Sequence, residues 1–340
     1  MENNSRYRFR PARVVALGGG TGLSTVLRGL KEYLGARRQE KTRRPITDLA
    51  AVVTVTDDGG SSGRLRREYS VLPPGDIRNC MVALSKDEHL LTHLFKYRFP
   101  GARGLGGHSF GNLFLTALTN VTGDFAEAIR VSAQVLAIRG RIFPSTEQNV
   151  TLEAELEDGT VVDGETKISK SRKPIRQLRL VPRRVRPLPE VLQAIREADL
   201  ILIGPGSLYT SLIPNLLIDG VVDAIMHSRA MCVYIANLMT QPGETQHYSV
   251  AEHVRAIYDH THKKLFDFAV INRATVSPRL LRRYNVRGAE QVAPSYSELN
   301  RMGLKYVTGD LLRQDSVVRH DHVRLSRLLI EQFVHGRATR

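Results

Sequence analysis

Residues 13–23 read Arg-Val-Val-Ala-Leu-Gly-Gly-Gly-Thr-Gly-Leu, and this stretch decides the predicted fold. A short, β-branched apolar run that ends in glycines is typical of a buried strand followed by a tight turn. Leu23, Val26, Leu27 and Leu30 then recur at helical spacing. The stretch therefore predicts a strand, a glycine loop and a helix, the first unit of an α/β fold.

The glycine loop is the first candidate ligand site, and it comprises Gly18, Gly19, Gly20, Thr21 and Gly22. Glycines let the backbone approach an anion, and the N-terminus of the following helix offers free N–H groups. The dinucleotide pattern G-x-G-x-x-G fails because leucine holds its third glycine position, and no Gly-Lys-Ser/Thr of a Walker A loop follows. The loop predicts phosphate binding but does not identify the nucleotide.

The same rhythm of short apolar runs and helical segments continues along the chain. Further buried strands are predicted at residues 49–56, 200–203, 231–236 and 268–271, and a last helix at 321–334. Such alternation predicts an α/β fold with a Rossmann-like, doubly wound and mostly parallel sheet. In these sheets ligands bind at the carboxyl ends of the strands, near the point where the strand order reverses.

A small β-rich insertion interrupts this rhythm near residues 150–189. Asp158-Gly159 stands there between two alternating runs, the second of which covers residues 160–168. Because Asp-Gly is a strong hairpin signal, these runs predict two antiparallel strands.

The loop after the second strand carries paired carboxylates: Asp57, Asp58, Gly59, Gly60 and Ser61. Two carboxylates beside glycines suit a divalent cation such as Mg²⁺ that bridges phosphates. Acidic residues at this place also suit ribose hydroxyls, as in dinucleotide-binding folds. Both interpretations stay open.

Three later loops add small and polar residues. Asp76 and Asn79 follow two prolines and suit a bound phosphate, although a helix start with Asp76 as its N-cap is favoured for this segment alone. Gly204, Gly206 and Ser207 follow a strand directly and predict a second anion or sugar subsite. Asn237 follows the next strand. We expect these loops to converge on one crevice.

Ser61 and Ser109 both occupy the centre of a G-x-S-x-G pattern, which is typical of a nucleophile elbow when a strand directly precedes it. Neither copy has that context, so a serine hydrolase is disfavoured. Ser109 is instead predicted to cap the helix that carries Asn112.

Composition narrows the class of protein further. The chain has 340 residues, of which 42% are hydrophobic and 24% charged, as in folded globular proteins. No run approaches the ~20 apolar residues of a membrane span. Residues 1–13 form a basic arm without the apolar core of a signal peptide, and one α/β domain is predicted over 14–340. With only two cysteines, the sequence predicts a cytoplasmic protein without disulfides.

The net charge of +15 raises the question of polyanion binding. Basic residues cluster at 37–44 and at 170–186, where eight of them occur without an acidic one. Neither cluster contains the interleaved aromatic residues of a single-strand platform. A solvated surface is therefore favoured over nucleic-acid binding.

Five motifs, in matching order, resemble the YvcK-type gluconeogenesis factors. This family lies within a superfamily that includes CofD, the 2-phospho-L-lactate transferase of deazaflavin cofactor synthesis. The resemblance extends from about residue 13 to the final helix. The motifs lie at residues 14–23, 53–65, 73–79, 107–112 and 204–211.

The resemblance implies a bacterial cytoplasmic protein that is needed for cell shape and wall synthesis during gluconeogenic growth. It implies UDP-sugar binding, notably of UDP-N-acetylglucosamine, without a settled catalytic activity. The family's ligand-binding tyrosine and arginine fall on Tyr284 and Arg319, and the metal-binding aspartate of CofD falls on Asp57 or Asp58. Where some relatives carry a phosphorylated threonine, this chain has Asp321-His322-Val323.

Three hypotheses follow. The first is a regulatory protein that binds a nucleotide sugar, has protein partners in cell-wall synthesis and forms a homo-oligomer. The second is a CofD-like, metal-dependent phosphotransferase. The third is a protein that binds a dinucleotide such as NAD.

Overall fold

The computed structural model describes residues 11–35, 45–101 and 103–335. Residues 1–10 of the predicted basic arm, and the whole basic cluster at 37–44, lie outside this part of the chain. Residues 12 and 13, which were assigned to the arm, belong to the first strand.

Twelve strands are defined in this part of the chain. They are β1 (Ala12–Gly18), β2 (Ile46–Val53), β3 (Arg141–Pro144), β4 (Thr151–Leu156), β5 (Val161–Asp163), β6 (Ile175–Val181), β7 (Leu200–Ile203), β8 (Met231–Ile235), β9 (Phe268–Asn272), β10 (Lys305–Gly309), β11 (Leu312–Gln314) and β12 (Val318–His320).

Fourteen α-helices lie between and after these strands within the described residues. They are α1 (Gly20–Leu30), α2 (Gly60–Tyr69), α3 (Gly75–Leu84), α4 (Glu88–Lys96), α5 (Phe110–Thr122), α6 (Phe125–Val135), α7 (Glu165–Lys170), α8 (Pro189–Glu197), α9 (Ile213–Leu216), α10 (Val221–His227), α11 (Val250–Thr261), α12 (Pro278–Asn285), α13 (Tyr296–Arg301) and α14 (His322–Leu329). A 3₁₀ turn (Lys31–Tyr33) follows α1, and π-helical turns (Leu208–Leu212 and Ile330–His335) flank α9 and α14.

The central sheet has seven parallel strands in the order β10-β9-β8-β7-β1-β2-β3. The chain moves outward from β1 through β2 to β3, and then returns to β7 and moves outward on the other side. The strand order therefore reverses between β1 and β7. Helix α1 packs against α3 and α14, and α8 packs against α10, so helices flank the sheet as in doubly wound folds. The predicted Rossmann-like fold is confirmed.

The predicted strands are correct because their sequences are almost continuously apolar. The central strands β1, β2 and β7 are buried over nearly their whole length, and all four residues of β7 are fully buried. Parallel strands covered by helices on both faces need this pattern rather than an alternating one. The pattern therefore identifies the strands even without a turn signal.

The β-rich insertion forms a three-stranded antiparallel sheet in the order β5-β4-β6. The hairpin predicted at Asp158-Gly159 is present between β4 and β5. The predicted second strand is wrong over part of its length, because α7 begins at Glu165. Gly164 has a φ of +91°, and this left-handed residue ends the strand before the helix.

Two predicted helix caps have different outcomes. Ser109 caps α5, since its side chain accepts a hydrogen bond from the N–H of Asn112. Asp76 is not the N-cap of α3, because the helix begins at Gly75 and Pro74 is its cap residue. The carboxylate of Asp76 is therefore available for another contact.

Within the described residues no single helix is long and apolar enough to cross a membrane. One pair of helical segments, Leu208–Leu216 and Val221–His227, meets the length and composition criteria jointly but is bent by 71°.

Candidate functional site

A cavity of about 510 Å³ opens where the strand order reverses, and we call it the switch pocket. The loops after β1, β7 and β8 form its floor, while α12 and the β11–β12 hairpin form its opposite wall. No Asp or Glu lies among its lining residues, which are Thr21, Gly22, Thr25, Pro205, Gly206, Ser207, Asn237, Leu238, Met239, Thr240, Gln241, Pro242, Tyr284, Arg287, Ala289, Val318, Arg319 and His320. The pocket therefore carries positive charge from its arginines.

The floor of the pocket is held together by close backbone contact. A Cβ atom on Gly22 would overlap the carbonyl oxygen of Pro205, so only glycine lets the loops after β1 and β7 touch. The Asn237 side chain accepts from the N–H of Gly206 at 3.1 Å and donates to its carbonyl at 2.8 Å. Asn237, which we predicted as a ligand contact, thus fixes the neighbouring loop.

The wall of the pocket brings together Tyr284 and Arg319, the two residues that the family resemblance selected. The hydroxyl of Tyr284 accepts a hydrogen bond from the N–H of Val318 at 3.0 Å. This bond ties α12 to the strand that carries Arg319. Tyr284 therefore positions the arginine in addition to offering a ring surface.

Two further polar residues of this wall, Arg287 and His320, were missed by the sequence analysis. Arg287 follows Tyr284 by three residues, just after α12 ends, and such spacing places side chains on one face of a helical turn. His320 ends β12 and is 8% exposed. Two features of the sequence could have identified them: an arginine three residues after Tyr284, and a histidine directly after Arg319.

The other half of the glycine loop faces a group of carboxylates on the far side of β1. We call this group the acidic cluster, and it comprises Asp57, Asp58, Asp76 and Glu165. Asp76 accepts a hydrogen bond from the backbone of Gly20, and a Cβ on Gly19 would lie 2.7 Å from its Oδ2 atom. A carboxylate of the protein therefore occupies the place where we predicted a phosphate at these two glycines.

Burial and mutual repulsion shift the pKa values within the acidic cluster. Burial raises the pKa of Asp76 to about 6, against the opposing effect of its hydrogen bond with Gly20. Burial, together with the charges of Asp57 and Asp76, raises the pKa of Glu165 to about 9. At neutral pH Glu165 is thus a proton donor and Asp76 is mostly a carboxylate, so the cluster holds an acid beside a base.

The predicted metal site at Asp57 and Asp58 does not fit this geometry. One oxygen of Asp58 accepts from both the N–H of Thr166 at 2.9 Å and its hydroxyl at 2.6 Å, while Asp57 accepts from the N–H of Gly59 at 2.8 Å. Across the described ranges, no group of three or more His, Cys, Asp or Glu residues is arranged to hold a metal ion. The two carboxylates instead fix the insertion and the start of α2.

Three other predicted site residues meet in a buried polar network away from the switch pocket. Ser61 bonds the Nδ1 atom of His108 at 3.0 Å and accepts from Asn112 at 3.1 Å. Arg78 donates to the side chains of Asn112 at 2.8 Å and Asn79 at 3.0 Å. These bonds link α2, α3 and α5 and stabilise their packing, although the Nε atom of Arg78 is buried without a partner.

The remaining predicted site residues divide into three groups. Thr21, Gly22, Gly206, Ser207, Asn237, Tyr284 and Arg319 line the switch pocket. Gly19 and Gly20 contact the acidic cluster, to which Asp57, Asp58 and Asp76 belong, and Gly59 and Gly60 start the adjacent helix α2. Gly18 and Gly204 end β1 and follow β7, where they border the point of strand reversal.

A doubly wound sheet with a cationic pocket at its point of strand reversal defines a Rossmann-like α/β protein with a candidate site for an anionic ligand. Residues 14–312 match the model of the CofD family, described as 2-phospho-L-lactate transferase CofD. The chain belongs to this family and, within it, to the gluconeogenesis factors, which confirms the resemblance seen in the sequence.

Relatives and solved structures support this assignment. The chain is 45% identical to the gluconeogenesis factor of Halalkalibacterium halodurans over 95% of this chain and 97% of that protein. It is 44% identical to the gluconeogenesis factor of Bacillus subtilis, over 94% of this chain and 97% of that protein. A crystal structure of a UPF0052 family member from Bacillus halodurans superimposes with a TM-score of 0.88 at 43% identity, covering 94% of this chain and 99% of that one.

Proposed function

We propose that the protein binds a UDP-sugar, UDP-N-acetylglucosamine first among them, in the switch pocket and acts as a regulator rather than as an enzyme. The observation that carries this proposal is the position of Arg319, Arg287 and Tyr284 opposite the glycine loops in a pocket without acidic residues. An anionic ligand with a flat ring fits that combination of groups.

The two sides of the pocket suit different parts of such a ligand. Glycine loops at helix N-termini suit a diphosphate, and a guanidinium binds phosphate oxygens through its planar fork. The lining also includes Leu238, Pro242, Ala289 and the ring of Tyr284, which suit an aromatic base. The volume of about 510 Å³ is within the range of pockets for small ligands.

We propose the cellular role from membership of the gluconeogenesis factors. The protein would act in the cytoplasm and support cell shape and wall synthesis during gluconeogenic growth. Its ligand state would be read by protein partners in wall synthesis, with the protein as a homo-oligomer.

Calorimetry with UDP-N-acetylglucosamine tests the proposal, with GDP and NAD in parallel and with or without Mg²⁺. We expect the UDP-sugar to bind with micromolar affinity and to remain intact over hours. Preference for NAD would replace the nucleotide sugar with a dinucleotide, and no binding of any uridine compound would refute the proposal.

Replacement of Arg319 by alanine provides the residue-level test. We expect Arg319→Ala to weaken binding by about tenfold to a hundredfold, because a charged hydrogen bond to phosphate is lost. Arg313→Ala is the matched control, since Arg313 lies directly opposite Arg319 in the hairpin but does not line the pocket. Equal effects of the two variants would remove Arg319 from the site.

A second candidate function is a CofD-like transfer of a phosphorylated group, which the acidic cluster favours because it holds a protonated Glu165 near Asp57 and Asp76. In this proposal Asp57 would accept the proton of the attacking hydroxyl. Product formation that depends on a nucleotide and is lost in Asp57→Asn would support it. Absence of turnover across a panel of phosphorylated substrates would count against it.

A further inference from the structure

The hairpin wall of the switch pocket contains a buried nitrogen atom without a partner. The Nε2 atom of His320 has no hydrogen-bond partner in the described part of the chain, and the residue is 8% exposed. Among the described residues that line the pocket, His320 alone has such an atom. A buried polar atom without a partner is costly, so this atom requires an explanation.

The state of the His320 ring follows from its surroundings. Burial lowers its pKa to about 4, so the imidazole is neutral at neutral pH. A hydrogen bond with the backbone of Ala236 opposes this shift, which means that the ring donates to the carbonyl group. In a neutral imidazole one nitrogen donates and the other accepts. Nε2 is therefore an acceptor.

Most other polar side chains of the pocket already have partners. Asn237 bonds Gly206 through both its oxygen and its nitrogen, and Gln241 donates to Ser207 at 2.7 Å. Thr240 accepts from the N–H of Glu290 at 2.9 Å. Arg287 and Arg319 only donate. The buried acceptor of this wall is thus left for a group with an N–H or O–H bond.

We propose that His320 selects the base of the nucleotide by accepting a hydrogen bond from N3–H of uracil. This inference rests on the proposed function. His320 belongs to the pocket lining together with Val318 and Arg319, on the wall that also carries the ring of Tyr284. Cytosine presents a lone pair at N3 and would face the lone pair of Nε2, so the same atom disfavours cytidine compounds.

The contact requires a small movement. Nε2 has no exposed surface as the hairpin stands, so a bond to the base requires the hairpin β11–β12 to shift. The hairpin is a separate two-stranded sheet, and the bond between Tyr284 and Val318 links it to α12.

The test compares the affinities of the full-length protein for UDP, N3-methyl-UDP and CDP by calorimetry. We expect UDP to bind at least about tenfold more tightly than either analogue, because both leave the buried acceptor unpaired. In His320→Phe, which keeps a ring but has no acceptor, the three affinities should agree within about threefold. Circular dichroism and the unfolding midpoint establish that the variant is folded.

His253 is the matched control. Its Nε2 atom is also buried without a partner, its Nδ1 atom bonds the carbonyl of Ser249 at 2.8 Å, and burial lowers its pKa to about 4. It does not line the switch pocket, so His253→Phe should keep the preference for UDP. Loss of the preference in both variants would indicate a general effect of core disruption and would overturn the assignment of His320.

The outcomes separate this inference from the proposed function. Equal affinities of the unmodified protein for UDP and N3-methyl-UDP would overturn the role of His320 and leave UDP-sugar binding intact. This result needs no variant, so it decides the matter even if His320→Phe fails to fold. Absence of binding of every uridine compound would overturn both proposals.

Discussion

The two sides of β1 differ in charge, burial and use of backbone donors. On one side the switch pocket presents arginines to a cavity that no carboxylate lines, and on the other the acidic cluster buries carboxylic acids with raised pKa values. One glycine loop serves both sides, since Gly22 touches the pocket floor and Gly20 bonds Asp76. A glycine loop after a strand can thus bind a carboxylate of its own protein with the backbone donors that would otherwise suit an external phosphate.

The largest effect on stability is expected in the glycine loop, where the switch pocket and the acidic cluster meet. Gly22→Ala places a Cβ against the Pro205 carbonyl and should lower the free energy of unfolding by about 3 kcal/mol. Gly20 has a φ of +62° but open space at its Cβ position, so Gly20→Ala should cost only about 1 kcal/mol. Urea unfolding measures both values. A smaller loss for Gly22→Ala than for Gly20→Ala would show that the two loops do not touch.

The acidic side predicts a dependence of stability on pH. The pKa of Glu165 rises from 4.5 in the unfolded chain to about 9 in the fold, so the folded state binds the proton more tightly. Stability is therefore greatest below pH 4.5 as far as this group is concerned, and it is lost as the pH rises towards 9. Glu165→Gln should stabilise the protein by roughly 2 kcal/mol at pH 8 and by less at pH 5.

Glu157→Gln is the control for this prediction, because Glu157 is exposed in the same insertion. The free energy of unfolding, measured from pH 5 to pH 9, should change with pH equally in this variant and in the unmodified protein. If the same pH dependence persists in Glu165→Gln, another group binds the proton.

A smaller effect is expected for Tyr284 on the pocket side, and it concerns the affinity for the ligand. Tyr284→Phe removes the acceptor for the N–H of Val318 and should weaken UDP-sugar binding by about fivefold, equivalent to about 1 kcal/mol. Stability between pH 5 and pH 9 should keep its slope, because Glu165 is untouched. An unchanged affinity would show that Tyr284 contributes only its ring, and Tyr69→Phe at an exposed position serves as control.

The smallest effect on stability is expected in the basic cluster at 170–186. This cluster belongs neither to the switch pocket nor to the acidic cluster. Arg179 pairs with Glu155 at 3.2 Å across β4 and β6, and Arg183 pairs with Glu153 at 2.8 Å. Arg179→Ala should lower the free energy of unfolding by less than about 0.5 kcal/mol, and salt should reduce that difference. Ligand affinity should not change. A loss of nucleic-acid binding in this variant would contradict the interpretation of the cluster as a solvated surface.

The sequence was sufficient for the five inner strands of the parallel sheet and for the loops that follow them, whereas the edge strands β3 and β10 were not predicted. Continuous apolar runs such as the one at 200–203 have no alternative to a strand covered on both faces. The division of the loops between two sites could not be predicted in this way. Asp76 contacts a loop 56 residues earlier in the chain, and no local pattern reports such a distant contact.

The roles of acidic side chains that depend on residues distant in the sequence could likewise not be predicted. Asp57 and Asp58 have the composition of a metal site, yet Thr166 of the insertion takes up an oxygen of Asp58. Glu165 lies within the run 160–168 that was predicted as a strand. Its raised pKa arises from burial and from the charges of Asp57 and Asp76, which are far from it in the sequence.

The hairpin β11–β12 has a consequence for how ligand preference evolves. The match to the CofD family model covers residues 14–312, so it includes the pocket floor and Tyr284 but not Arg319 and His320. The hairpin is a two-stranded sheet of its own and is not paired with the central sheet. Substitutions in this hairpin can therefore change the ligand preference while the pocket floor stays the same, much as antibodies vary loops upon a constant framework.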